Sequence, residues 1–148
     1  MMTKRLSVAD VMSVAIITVS HADTLSDAHY KMKMADVRHL PVVDADGKVI
    51  GILSDRDLLG AASLGQETPV GLCMSQPVHT ITADMAAHEA AAIMLKHKIG
   101  SLPVVGPDRE LQGLVTETDF LLVAHRALSE QAGAAEASQG EKPSKPRA

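Results

Sequence analysis

Residues 38–58 read Arg38-His39-Leu40-Pro41-Val42-Val43-Asp44, Ala45-Asp46-Gly47-Lys48-Val49-Ile50, Gly51-Ile52-Leu53-Ser54-Asp55-Arg56-Asp57-Leu58. Leu40 to Val43 is a short apolar run of strand length, and Pro41 suits its first position or an edge because proline has no N–H to give to a ladder. Asp44-Ala-Asp-Gly47 supplies turn residues, and Val49 to Leu53 forms the returning strand of a hairpin. Ser54 and Asp57 then place a hydroxyl at a helix N-cap and a carboxylate three positions later, which starts a helix.

The same pattern returns 62 residues on. Sliding the chain over itself by that offset lays Val8–Ala62 on Val70–Ala124 without a gap, and 15 of the 55 positions are identical, where ordinary composition predicts about three or four. The identities include Met12/Met74, Ser13/Ser75, Thr18/Thr80, Leu40-Pro-Val-Val43 with Leu102-Pro-Val-Val105, Gly51/Gly113, Asp57/Asp119 and Leu59/Leu121. Each copy is too short to bury its apolar surface alone, so the two are expected to pack as one module.

Outward from the hairpin, Val8–Met12 reads as a helical turn and Ile16–Val19 as a brief buried strand. Leu25, Ala28, Met32 and Ala35 recur at helical spacing behind a Thr24/Asp27 capping pair, giving a helix over Leu25–Met34. Each copy is therefore β-α-β-β-α, an α+β unit with a small three-stranded sheet and two helices. The copies occupy 8–62 and 70–124, joined by a short polar linker at 63–69. Residues 129–148 hold Ala, Gly, Ser, Glu, Lys and Pro with little to pack, and are expected to be disordered.

Composition excludes several classes. Of 148 residues, 14 are Lys or Arg and 18 are Asp or Glu, a net charge of −4, and Tyr30 and Phe120 are the sole aromatic residues. Neither the charge nor the stacking surface of a nucleic-acid binder is present. Cys73 is the single cysteine, which rules out an internal disulfide or a cysteine-rich zinc site and fits a reducing compartment. The seven histidines form no HxH or HExxH grouping, so no metal site is expected. No repeated positions assemble a nucleophile, base and orienting group, and there is no Walker-type loop, so catalysis is not expected. Asp10, Ser13 and Thr18 interrupt the apolar stretch behind Lys4 and Arg5, which is not read as a leader, and no run is long enough to span a membrane. The expected setting is cytoplasmic.

The repeated polar residues carry the functional signal. A helix that starts where a strand ends offers N–H groups and a favourable dipole to an anion. Ser54/Asp57 and Thr116/Asp119 serve equally as simple caps. An aspartate has less reach than the glutamate of a usual capping box, which is expected to leave its carboxylate freer for vicinal ribose hydroxyls. Arg38, His39 and Arg56 are candidate phosphate contacts. Their second-copy counterparts are Gly100, Ser101 and Thr118, so the first copy is cationic and the second neutral.

On Asp10-Val-Met-Ser13, Arg38 to Asp44, Gly51 to Leu58 and their partners Leu72-Cys-Met-Ser75, Gly100-Ser-Leu-Pro-Val-Val105 and Gly113 to Phe120, the chain resembles the cystathionine-beta-synthase (CBS) domain pair, or Bateman module. The resemblance implies two units packed about a pseudo-twofold axis, a homodimer, and clefts that bind adenosine-containing ligands such as AMP, ADP, ATP, NAD or S-adenosylmethionine. It further implies ribose ligation by Asp57 and Asp119 beside Ser54 and Thr116, and adenine reading near Ile17-Thr18 and His79-Thr80. Arg38, His39, Arg56 and Ser101 become phosphate contacts, with Leu40, Pro41, Leu102, Pro103 and Thr118 beside them. Ala15 departs from the pattern that Pro77 keeps. The module so implied senses a nucleotide and signals to an effector protein on another chain. A scaffold dimer with degenerate clefts is the alternative.

Overall fold

The computed structural model describes residues 5–76 and 79–139. Its elements in order are α1 (Val8–Val11), β1 (Val19–Ser20), α2 (Leu25–Ala35), β2 (His39–Val43), β3 (Val49–Ser54), α3 (Asp55–Gly60), two 3-10 turns at Ala62–Leu64 and Val70–Leu72, α4 (Ala87–His97), β4 (Ser101–Val105), β5 (Leu111–Thr116) and α5 (Glu117–Gln139). The hairpin read from residues 38–58 is present in both copies. β2 runs antiparallel to β3 with His39 opposite Ser54 and Val42 opposite Gly51, and β4 to β5 with Ser101 opposite Thr116 and Val104 opposite Gly113.

The third strand differs between the copies. In the first, β1 joins β2 in parallel through Val19–Val42 and Ser20–Val43. In the second, the matching position is one bridge, Ile81 to Val104, after which the Thr82 hydroxyl donates to the Asp84 carboxylate at 2.6 Å in a turn that leads to α4. The expected first strand also lies later than its apolar residues suggested, at Val19–Ser20, with Ile17 40% exposed.

Aspartate at the third helical position is the recurrent local device. The N-cap N–H groups of Ser7, Thr24, Ser54 and Thr116 donate to Asp10, Asp27, Asp57 and Asp119 at 2.8, 3.0, 2.8 and 2.8 Å. Aspartate therefore has the reach to close a capping box, contrary to the sequence expectation, because the extended N-cap backbone brings its N–H over the first turn. α2 and α4 both end on a left-handed residue, Asp36 (φ 55) and Lys98 (φ 54).

The packing units are not the sequence units. Val8 is fully buried among Ile81, Ala90, Met94, Leu102, Val104 and Val115, all of the second copy. Val70 is fully buried among Val19, Ala28, Met32, Leu40, Val42 and Leu53 of the first. The backbone follows the same exchange. Ser13 and Leu114 trade N–H···O bonds at 2.9 and 3.0 Å, and Ile52 and Ser75 do so at 3.2 and 2.8 Å. Gly51 and Gly113 permit it, since a Cβ on either would stand 3.1 Å from the Ser75 or Ser13 carbonyl oxygen and closer still to the Met74 or Met12 sulfur. Each copy so lends its leading segment to the other about the pseudo-twofold axis.

The C-terminal end corrects an expectation. α5 continues to Gln139 through residues expected to be disordered. Lack of packing residues argues against a core, not against a helix, and Ala132, Ala134, Ala135 and Glu130 are strong helix formers. Residues 140–148 and Pro77 lie outside the described residues.

The exchange makes a direct prediction. Val8→Ala and Val70→Ala should each cost about 2–3 kcal/mol in urea unfolding. In native-state hydrogen exchange, Val8→Ala should loosen β4–β5 before β2–β3, and Val70→Ala the reverse. Loosening of a variant's own copy first would contradict the exchange.

Candidate functional site

The ends of β2 and β3, the start of α3 and the C-terminal turn of α4 meet at a cleft of about 860 Å³ between the copies. The first copy contributes Arg38, His39, Ile52, Ser54, Asp55, Arg56, Asp57 and Leu59, and the second contributes Ser75, His79, Met94, Leu95, Lys98, Ile99, Gly100, Ser101 and Glu117. Seven residues singled out from the sequence meet here: Arg38, His39, Ser54, Arg56, Asp57, His79 and Ser101.

Asp57 is central to it. One carboxylate oxygen accepts the Ser54 N–H at 2.8 Å, and the Asp57 N–H returns a bond to the Ser54 hydroxyl at 3.1 Å. The Ser75 hydroxyl lies 3.4 Å from both carboxylate oxygens. An ionised carboxylate offers about four lone-pair positions, so capping occupies part of its accepting capacity, and the rest is on the cleft wall beside a serine hydroxyl.

His39 opens β2 and lies against Gly100. A Cβ on Gly100 would stand 2.9 Å from His39 Nε2 and 2.8 Å from Glu117 Oε1. The exchange of Arg38 in one copy for Gly100 in the other is therefore steric as well as electrostatic, because a side chain at 100 would displace His39. Burial holds the His39 imidazole below its usual value of 6.5, against the pull of the Asp55 and Glu117 carboxylates. At the other wall, the His79 and His97 rings lie 4.3 Å apart between centroids, tilted by 30°.

Other candidates stand elsewhere. Leu40, Pro41, Leu102 and Pro103 have fully buried side chains, Leu40 and Leu102 within the two cores, and none of the four lines this cleft. The Thr18 carbonyl, expected to read an adenine edge, accepts the Lys31 ammonium at 2.8 Å. Its repeat partner Thr80 faces no such lysine, position 93 being isoleucine. Ile17, Thr18, Thr80, Thr116, Thr118 and Asp119 do not line this cleft. Thr116 and Asp119 form the cap of α5, with the Thr116 N–H to Asp119 at 2.8 Å.

Sequence reasoning missed Lys98, Ser75 and Glu117. Ser75 carried a signal, as an identical polar partner of Ser13 beside the copied methionine. Glu117 repeats the acid of Asp55, but Lys98 carried no signal, its repeat partner being Asp36, and only folding brings either to the first copy. Among the described residues no group of three or more His, Cys, Asp and Glu is arranged to hold a metal ion, and no helix is long and apolar enough to cross a membrane.

The comparisons agree with this architecture. The CBS domain family model matches residues 8–64 and again 70–126. The chain belongs to the CBS-domain family and carries its domain as a tandem pair, a regulatory module that is generally non-catalytic. Among its relatives, the CBS domain-containing protein YhcV of Bacillus subtilis is 34% identical over 132 residues, covering 87% of this chain and 91% of that one. Other relatives are longer: the chain spans 21% of the inosine-5'-monophosphate dehydrogenase of Halobacterium salinarum, at 34% identity over 72% of its own length, and 63% of protein MK0525 of Methanopyrus kandleri.

Among solved structures, the acetoin utilization protein AcuB of Vibrio cholerae superposes with a TM-score of 0.77 at 37% identity, covering 95% of this chain and 100% of that one. The CBS pair of MJ0100, solved with 5'-methylthioadenosine and S-adenosyl-L-methionine, gives 0.79 at 27% identity over 84% of this chain and 99% of that one. CBSX2, solved with AMP, gives 0.73 at 25% over 82% and 97%.

The ionisable groups predict the pH response of the ligand-free protein. His39 is held below 6.5 when folded, so the unfolded chain binds more protons near and below that value and stability rises with pH through the window. The urea midpoint should fall as pH drops from about 7 toward 5, and His39→Gln should flatten the drop. A second loss should follow below about pH 4. Backbone N–H bonds, from Thr24 to Asp27 and from Lys48 to Asp44, hold both carboxyls below 3.8, and that stabilisation disappears as they protonate.

Proposed function

We propose that the chain is a non-catalytic regulatory module that binds an adenosine-containing ligand (AMP, ADP, ATP or NAD) in the Asp57 cleft and signals its presence to a partner protein. The observation that carries this reading is the position of Asp57, half used as a helix cap and half offered to a cleft between the copies. A carboxylate beside the Ser54 and Ser75 hydroxyls suits vicinal ribose hydroxyls. Arg38, Arg56 and Lys98 on the same walls suit a phosphate. The α3 N-terminus adds its backbone dipole only as a minor contribution, being six residues long. The adenosine ligands in the structures of MJ0100 and CBSX2 support the ligand class.

Signalling requires that the ligand bind two arrangements of the module with different affinity. A homodimer supplies such arrangements. Leu59 and Leu121, one repeat position, are 79% and 69% exposed, as are Leu95 and Leu128 at 79% and 62%. Exposed apolar surface of this kind, retained in both copies at Leu59 and Leu121, fits a contact with a second copy. A cytoplasmic setting agrees with the single Cys73.

Calorimetry with AMP, ADP, ATP, NAD and S-adenosylmethionine tests the reading; binding to none at millimolar concentration overturns it. Asp57→Asn keeps an oxygen for the Ser54 N–H while removing the charge, and should weaken the ligand about tenfold or more with little change in stability. Asp57→Ala should lose about 1 kcal/mol of stability in addition. In sedimentation equilibrium the chain should be dimeric, and Leu121→Glu should shift it to monomer.

A further inference from the structure

We infer that His39 makes the Asp57 cleft take up a proton when it binds a phosphate-bearing ligand, so that affinity for the phosphate rises as pH falls while adenosine itself binds alike across the same range. The inference rests on the adenine-nucleotide reading above and adds its regulation.

The charges of the cleft leave the decision to this residue. Its permanent cations are Arg38, Arg56 and Lys98, and its carboxylates are Asp55, Asp57 and Glu117. Three of each sign balance, and His39 and His79 are the remaining titratable groups on the walls. Of these, His39 is the one packed against the other copy at Gly100, where a Cβ would stand 2.9 Å from its Nε2 and 2.8 Å from Glu117 Oε1. The groups acting on it come from three directions: Arg38 beside it in the chain, Asp55 and Asp57 from the start of α3, and Glu117 from the start of α5.

In the cleft the imidazole is partly removed from water, and burial favours its neutral form. A phosphate brings one or two negative charges into a cleft whose fixed charges cancel. That addition favours the imidazolium, which can keep one N–H toward the flanking carboxylates and turn the other to the phosphate. The proton comes from solvent and no covalent bond changes. By linkage, a ligand that raises the proton affinity of His39 has its own affinity raised by the proton to the same extent. Adenosine carries no charge to the centre of the cleft and has no such coupling.

Titration calorimetry of AMP and of adenosine between pH 5.5 and 8.5, in buffers of differing ionisation enthalpy, reads proton uptake directly. Wild-type protein should take up a fraction of a proton per AMP near neutrality, and its affinity should fall by up to about tenfold per pH unit through the window. His39→Gln should lose this component while still binding AMP. The phosphate of AMP titrates near pH 6 on its own, and the difference between wild type and variant removes that contribution. AMP binding with the same pH profile in both proteins overturns the inference and leaves the nucleotide reading intact. Failure of the wild-type protein to bind AMP at any pH overturns the inference, and failure to bind any of AMP, ADP, ATP, NAD and S-adenosylmethionine overturns the nucleotide reading as well. Should His39→Gln not fold, the His39 imidazole can be followed by NMR in the wild-type protein. A rise in its midpoint on adding AMP, absent with adenosine, supports the coupling, and an unchanged midpoint refutes it.

Discussion

Val8 and Val70 are each fully buried in the core of the other copy, and this reciprocal loan is the constraint from which the rest follows. A unit of some 55 residues has too little interior to hold itself together. Lending a valine and a short ladder across the axis gives each core its last wall and removes the option of folding alone. The backbone bonds Ser13–Leu114 and Ile52–Ser75 fix the two hairpins relative to one another. The cleft lies at that junction, so its walls are set by the same contacts that stabilise the module. Ser75 shows the economy of the arrangement, its backbone bonding Ile52 while its hydroxyl stands beside Asp57.

The N3 aspartates have two faces. Capping and ligand binding are competing explanations of Ser54/Asp57 only while each carboxylate is treated as accepting one bond. The Ser54 N–H takes one oxygen, and a carboxylate has acceptor positions left over. Asp10 and Asp27 show the purely structural version at other helix starts. What distinguishes Asp57 is where its helix begins, at the end of β3 facing the other copy.

The twofold relation is broken where charge matters. Arg38 corresponds to Gly100, Arg56 to Thr118, Asp36 to Lys98 and Lys31 to Ile93. The first three gather cations on the Asp57 side, and the last sets a lysine on the Thr18 carbonyl. His39 fits against Gly100 because the second copy has no side chain there. The two copies share a fold while only part of their site chemistry is common.

Much of this was legible from residue spacing. The hairpins, the helix starts and the duplication follow from period, turn residues and hydroxyl–carboxylate pairs, which act within a few positions or recur intact at one offset. Arg38, His39, Ser54, Arg56, Asp57, His79 and Ser101 could be nominated because they adjoin repeated motifs. Leu40 and Leu102 adjoin them too, yet they pack into the two cores, since alternation along a strand sends successive residues to opposite sides. Tertiary structure alone decided which valine completes which core, that Lys98 and Glu117 join the first copy's cleft, and that His39 lies on Gly100. Those facts depend on segments tens of residues apart meeting in space, and such meetings leave no mark in local periodicity.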